Sequence, residues 1–146
     1  MKNVSVEEFI QILADKQGRV ETEIGKALAK SCALVQRTAM ESMRDTPTDS
    51  TKRYFTHNKT IAHHPSLPNN PPAVDTGTLR RSITYTVNEK ELYGEVGNTV
   101  SDSPYGAYLE FGTSKMKPRP WLKPAIEKNK EKIAEYLTFA VRDGIK

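Results

Sequence analysis

The chain has 146 residues, a length that fits one domain with one modest core. Its apolar share is 36% and its mean hydropathy is −0.63, whereas an average globular domain is ~45–50% apolar. We therefore expect part of the chain to lie outside its core, or neighbouring molecules to complete that core. Cys32 is the single cysteine, which excludes an intrachain disulfide, and no apolar run approaches the ~20 residues of a membrane span.

The formal net charge of +4 is unevenly distributed along the chain. Residues 1–46 carry seven basic and seven acidic side chains, residues 76–114 have a net charge of −2, and residues 115–146 have a net charge of +5. Opposite potentials on one molecule favour head-to-tail contact between copies. A nucleic-acid-binding domain usually shows a denser basic stripe, so that class is less well supported.

The first 44 residues predict helix. Ser5 precedes Glu8 by three residues, which is the spacing of a capping box. Apolar residues then recur with a period of 3.6, and Gly18 is expected to bend or interrupt the helix before it ends near Arg44. We interpret Cys32, which lies within this pattern, as a small buried apolar residue and not as a reactive thiol.

Residues 45–74 change character and predict a long Pro-rich arm. Four prolines between positions 65 and 72 remove backbone donors and fix φ, which is incompatible with a regular helix or a central strand. Segments of this length without secondary structure are uncommon in compact domains and are often functional. We expect this arm to become ordered against a neighbouring molecule.

The remaining residues predict a short helix after the Asp-Thr-Gly sequence at 75–77, then a β-hairpin whose strands are 83–87 and 92–97. A short helix follows over 105–111, and Gly112 is expected to end it in the left-handed conformation. Prolines at 118, 120 and 124 make residues 114–124 a stiff, basic, extended segment, which we call the strap. Pro124 begins the last helix and Gly144 ends it.

No catalytic, cofactor-binding or metal-binding motif is evident in the sequence. The three histidines are His57, His63 and His64, and no cluster at metal-ligand spacing accompanies them. Glu110 is expected to be partly buried and ion-paired with Arg119 or Arg80, because no second carboxylate is placed for acid–base chemistry.

Basic and aromatic residues leave two interpretations open. Arg80 and Arg81, together with the strap lysines, could face phosphates, and Trp121, Tyr105 or Tyr108 could stack on bases. Trp121 between prolines is more typical of a core residue or of an interface anchor that fills a pocket.

Three elements carry a resemblance to a known family. Residues 68–83 contain Pro-Pro-x-x-Asp-Thr-Gly-x-Leu-Arg-x-Ser-Ile, residues 105–113 contain Tyr-x-x-Tyr-x-Glu-x-Gly-Thr, and residues 116–125 contain Arg-Pro-Trp-Leu-x-Pro-Ala. In this order they resemble the neck, or head–tail connector, proteins of the tail-component family of long-tailed phages and prophages. Residues 45–64 have no clear counterpart in that pattern.

The resemblance implies a structural virion protein, assembled in the host cytoplasm, that forms a homo-oligomeric ring in the phage neck. Its implied partners are a head-closure or connector protein and a tail-terminator or tail-tube protein, with genomic DNA passing through the lumen without sequence-specific binding. No cofactor, metal, membrane or catalytic residue is implied. The resemblance implies structural roles for Asp75, Thr76, Gly77, Tyr108, Glu110, Gly112, Arg119, Pro120, Trp121 and Pro124. The sequence itself adds Arg80, Arg81, Tyr105, Phe111, Lys115, Lys117 and Lys123 as candidate interface or structural residues.

We therefore predict a single α+β domain over residues 1–146, with long N- and C-terminal helices packed on a small antiparallel sheet and with the arm at 45–74. The predicted function is that of a neck ring, and a tail-terminator or tail-completion protein is the alternative within phages. A nucleic-acid-binding module is the alternative from another class, and an enzyme is the least supported.

Overall fold

The computed structural model describes residues 5–55, 62–99 and 105–146. Within these ranges long helices stand at both ends of the chain and short strands lie between them, which confirms the α+β class. The elements in chain order are α1 (Val6–Ser42), β1 (Tyr54–Phe55), β2 (Ala62–His63), α2 (Thr78–Ser82), β3 (Ile83–Asn88), β4 (Tyr93–Asn98), α3 (Tyr105–Phe111) and α4 (Lys123–Ile145). The strands form two two-stranded sheets, β1–β2 and β3–β4.

Helix α1 is one continuous element of 37 residues. Its start is the predicted capping box, because the Glu8 amide donates to Ser5 Oγ at 3.1 Å and the Ser5 amide donates to the Glu8 carboxylate at 2.9 Å. The predicted interruption at Gly18 is wrong, since the helix runs through that position. A glycine costs a helix only about 1 kcal/mol relative to alanine, which flanking turns can offset.

The segment predicted as an arm folds back on its own chain where it is described. Strands β1 and β2 pair antiparallel, with Tyr54 opposite His63. The residues that flank these two strands are also hydrogen-bonded: the Asp49 amide donates to the Pro65 carbonyl at 2.8 Å, and the Leu67 amide donates to the Pro47 carbonyl at 3.0 Å. The segment thus contains short antiparallel pairing, and its ordering against a neighbouring molecule stays a prediction. Residues 56–61, which include His57, lie outside the described residues.

The chain divides into two compact units. Unit 1 comprises residues 1–32, 86–95 and 130–146, and Ala27, Cys32 and Ala140 are buried in it. Gly94 permits strand β4 to approach helix α1, because a Cβ at this position would lie 2.5 Å from Cys32 Sγ. Burial raises the pKa of the Cys32 thiol, as expected for a structural cysteine.

Unit 1 also joins the two long helices. A Cβ at Gly144 would lie 2.6 Å from Val20 Cα, so glycine permits this close approach of α4 to α1. Gly144 was predicted to end the last helix, yet the helix continues to Ile145. The role of this glycine is therefore helix packing and not termination.

Unit 2 comprises residues 33–85 and 96–129. Its buried apolar residues come from the end of α1 and the residue after it, from β3 and α3, and from the strap and the start of α4. Polar side chains join these elements. Gln36 donates to the Ile83 carbonyl at 2.7 Å, and Asn129 donates to Thr38 Oγ1 at 2.9 Å. The buried apolar residues of unit 2 are Val35, Ala39, Met43, Ile83, Leu109, Trp121 and Ala125.

Candidate functional site

Helix α3 and the strap are built around a sharp turn at Gly112. This residue has φ 77°, and a Cβ here would lie 2.8 Å from the Met116 carbonyl oxygen. The Gly112 amide donates to the Tyr108 carbonyl at 2.9 Å, which closes the helix. The Thr113 amide then donates to the Met116 carbonyl at 2.8 Å, so the chain reverses at once. The predicted helix and its left-handed glycine stop are confirmed.

Glu110 caps the N-terminus of α4 from the neighbouring helix. Its Oε2 accepts hydrogen bonds from the amides of Trp121 at 2.7 Å and Leu122 at 2.9 Å, and its Oε1 accepts one from Lys123 at 2.9 Å. A helix leaves its first amides unpaired and carries partial positive charge there, so a carboxylate is the natural partner. The expected ion pair with Arg119 or Arg80 does not form among the described residues.

Trp121 is a core residue of unit 2. Its side chain is 3% exposed, and its Nε1 donates to the Gly106 carbonyl at 3.0 Å. Of the two interpretations of Trp121, the structure agrees with the core residue, because the pocket that the indole fills belongs to α3 of the same chain. A buried indole with a paired N–H is a large contribution to a small core.

The strap is hydrogen-bonded to both the arm and α3. Arg119 Nε donates to the Ser66 carbonyl at 3.2 Å, and the Arg119 amide donates to the Leu109 carbonyl at 2.6 Å. The Asn69 amide donates to the Pro118 carbonyl at 2.9 Å. Pro120 is half-buried, and Pro124 occupies the second position of α4, where its missing N–H costs nothing.

The Asp75-Thr76-Gly77 turn borders a cavity of about 220 Å³ in unit 2. Gly77 has φ 76° and stands before α2, and a Cβ here would lie 2.7 Å from Arg81 Nη1. Partial burial raises the pKa of Tyr105, which lines the cavity, and the nearby Asp75 carboxylate adds to this effect while Arg119 opposes it. Arg80 also lines the cavity, and its Nε is buried without a hydrogen-bond partner in the described part of the chain.

One side of α3 and the strap carry exposed aromatic and basic side chains, which we call the aromatic–basic face, and Phe111 lies beside both lysines of this face. It consists of Tyr105, Tyr108 and Phe111 on the helix and of Lys115 and Lys117 on the strap. Phe111 is 81% exposed, and both tyrosines are about half exposed. Neither lysine forms an ion pair with any described residue. Clustered exposed aromatics next to cationic side chains are typical of protein interfaces.

The structure thus divides the residues predicted for interface or structure into two groups. Glu110, Gly112, Arg119 and Trp121 are internal supports, because their partners are backbone groups of the same chain. The aromatic–basic face is supported by them and open to solvent. Lys123 is also exposed, and its side chain lies 3.9 Å from Glu127.

The other candidate groups show no reactive arrangement among the described residues. His64 Nδ1 lies 2.9 Å from the Lys52 carbonyl, and His63 forms part of β2. No group of three or more histidine, cysteine, aspartate or glutamate side chains is close enough to hold a metal ion in the described ranges.

Sequence reasoning missed one exposed surface, at the start of α1. Val6, Phe9, Ile10 and Leu13 share one helix face and are all exposed. Their helical spacing was visible in the sequence. An apolar helix face predicts burial at every position along the helix, so the pattern alone does not identify the part that is left uncovered. Only the structure distinguishes the covered part of this face from the uncovered part.

Comparison with known proteins agrees with this architecture. The model of a family described as "Bacteriophage HK97-gp10, putative tail-component" matches residues 7–112, which extends from the start of α1 to the glycine that ends α3. Searches among curated proteins and among solved structures give no significant match. No helix within the described residues is long and apolar enough to cross a membrane.

Proposed function

The chain belongs to the HK97 gp10-like family of bacteriophage tail components, and from this membership we propose that it forms a ring in the virion neck. The family makes it a structural component of the phage tail. In the proposed role, copies of the chain join the head-closure layer of the DNA-filled head to the tail terminator or tail tube. The genome passes through the lumen of the ring without sequence-specific contacts.

The observation that best supports this role is the aromatic–basic face. Its three aromatic side chains are exposed on a helix whose position is fixed by the Glu110 cap and the buried Trp121. Aromatic side chains bury large areas at low conformational cost, and hot spots of interfaces are enriched in them. A rigid support with an exposed aromatic surface is suited to binding another protein.

The charge distribution supports contact between copies. We expected an acidic surface near 89–110 to meet the basic surface at 115–132 of the next copy. Glu110 is committed to capping α4, so the acidic contribution comes from Glu89, Glu91 and Glu95, which are exposed on the β3–β4 hairpin. The opposing surface carries exposed lysines, and those at 123, 128, 130 and 132 lie outside the aromatic–basic face. Heterologous contacts of this kind generate a ring when the rotation closes.

Light scattering tests the proposal directly. The purified protein is measured alone and with the head-closure protein of the same phage, and we expect a ring in at least one of the two samples. Binding to duplex DNA is measured in parallel over a range of salt concentrations, and we expect it to be weak.

A chain that stays monomeric in both samples and binds DNA tightly, with affinity falling steeply as salt rises, would exclude the neck role and favour a nucleic-acid-binding module. A ring that binds the end of a tail tube but never the head-closure protein would favour a tail terminator.

A further inference from the structure

The first ten residues of α1 present an apolar face that the described part of the chain does not cover. Val6 is 71% exposed and Ile10 is 60% exposed, and Phe9 and Leu13 lie on the same side of the helix. We call residues 6–15 the α1 tip. Ten helical residues extend about 15 Å, which is long enough to lie along a neighbouring molecule.

This apolar face continues directly into the buried face of α1. Val20 and Ile24 lie in phase with the tip and are half-buried, and Ala27 and Ser31 follow them and are buried. The cover from α4 reaches Val20, beside Gly144, and Lys16 Nζ lies 2.5 Å from the Ile145 carbonyl near the end of that helix. The tip therefore extends the apolar face beyond the last residues of α4 that pack against it.

Charge indicates what covers the tip. Residues 6–15 contain Glu7, Glu8 and Asp15 and no basic side chain, so the tip has a net charge of −3. Two tips packed against each other would repel. Unit 2 carries twelve basic and seven acidic side chains, a net charge of +5, and unit 1 carries ten basic and eleven acidic ones, a net charge of −1. Among the described residues of unit 2, the aromatic–basic face combines exposed apolar side chains with lysines at its edge.

We propose that the α1 tip of one copy docks on the aromatic–basic face of the next copy. Val6, Phe9, Ile10 and Leu13 pack against Tyr105, Tyr108 and Phe111, and Glu7 lies toward Lys115 and Lys117. The contact joins two different surfaces, so each copy contributes one tip and one face, as a ring requires. This inference rests on the proposed function, since it names the surfaces through which the ring would assemble.

Cross-linking between engineered cysteines tests the contact. Ala14 lies within the α1 tip and Ala107 lies on α3 between Tyr105 and Tyr108. Both alanines are exposed, and Ala14→Cys and Ala107→Cys change little volume. The native Cys32 is buried, so the parent chain is the matched control for unspecific cross-linking. We expect a short bis-maleimide to give a ladder of covalent oligomers from the double variant. It should give only dimers from a mixture of the two single variants, and no product from either single variant alone.

Charge reversal provides a second test of the contact. Self-association is measured for each variant, and its folding is checked in a separate measurement. We expect Glu7→Lys to weaken self-association several-fold at low salt, and Lys115→Glu with Lys117→Glu to do the same. All three changes in one chain should restore association. Glu41→Lys, at the exposed far end of α1, is the matched control and should have no effect.

The outcomes separate this inference from the proposed function. Dimers from Ala14→Cys alone would show tip-to-tip packing and overturn the inference. The inference would also be overturned if the parent chain associates in light scattering while the double variant gives no ladder. The proposed ring would be unaffected by that result. A parent chain that does not associate with itself under any condition would overturn both.

Discussion

Glu110 determines the start of α4 although it lies 13 residues earlier in the chain. Its two carboxylate oxygens pair with three consecutive amides that would otherwise be left without partners. The same residue is the sixth of α3, so one side chain couples the direction of a short helix to that of a long one. The hydrogen bonds between Glu110 and the start of α4 therefore fix the position of α3 and of its exposed aromatic residues.

Removal of the Glu110 cap should destabilise the fold. We expect Glu110→Ala to lower the free energy of unfolding by about 2 kcal/mol, the upper range for a helix cap, because three amides lose a charged acceptor. Glu110→Gln retains one acceptor oxygen and should cost about half as much. Urea unfolding followed by Trp121 fluorescence measures both.

The matched control is Glu127→Ala, which removes an exposed carboxylate of α4 that lies 3.9 Å from Lys123. This change should stay within about 0.5 kcal/mol of the parent. Equal losses for Glu110→Ala and Glu127→Ala would contradict the capping role.

Trp121 and Phe111 provide a second comparison between internal support and exposed surface. Trp121→Ala should cost about 3–5 kcal/mol and leave the chain only marginally folded, because the indole is buried. Phe111→Ala should change stability by no more than about 0.5 kcal/mol and weaken self-association instead. Thermal unfolding by circular dichroism and light scattering measure the two effects. A folded, stable Trp121→Ala variant would contradict the core assignment.

At the scale of elements, two helical glycines of unit 1 have opposite roles. Gly144 lies against the backbone of Val20, whereas a Cβ at Gly18 would meet nothing within 4 Å. We expect Gly144→Ala to lose about 1–3 kcal/mol through overpacking. Gly18→Ala should gain up to about 1 kcal/mol from helix propensity. Thermal unfolding of both variants checks the pair, and a stabilised Gly144→Ala variant would contradict the close approach of the helices.

Local signals predicted most of the elements. The capping box at Ser5, the alternating β3–β4 hairpin and the glycine stop at 112 each depend on neighbouring residues, and all three are confirmed. The single-domain prediction over residues 1–146 was not tested and stays a prediction.

The supports of the site could not be predicted in the same way. The acceptor role of Glu110 depends on where the chain returns after a tight turn, which no local pattern encodes. Prolines on both sides of Trp121 remove the periodicity that would indicate its burial. The apolar pattern at residues 6–13 is the same whether or not another element covers it.

At the scale of the whole molecule, the described residues include an acidic and a basic exposed apolar surface. The α1 tip is acidic and belongs to unit 1, and the aromatic–basic face belongs to unit 2. Opposite charges accelerate encounter and reject wrong orientations, and apolar side chains supply the affinity. Such a chain is suited to head-to-tail assembly, and we expect its association to weaken as salt rises.

The position of the protein in the phage particle tests the central claim most directly. Particles labelled with a gold-conjugated antibody against this chain are viewed by electron microscopy, and particles that lack the chain serve as the control. The neck role predicts label at the junction of head and tail, and predicts that the control population contains filled heads separated from tails. Label along the tail shaft or at its distal tip, or normal joined particles without the chain, would contradict it.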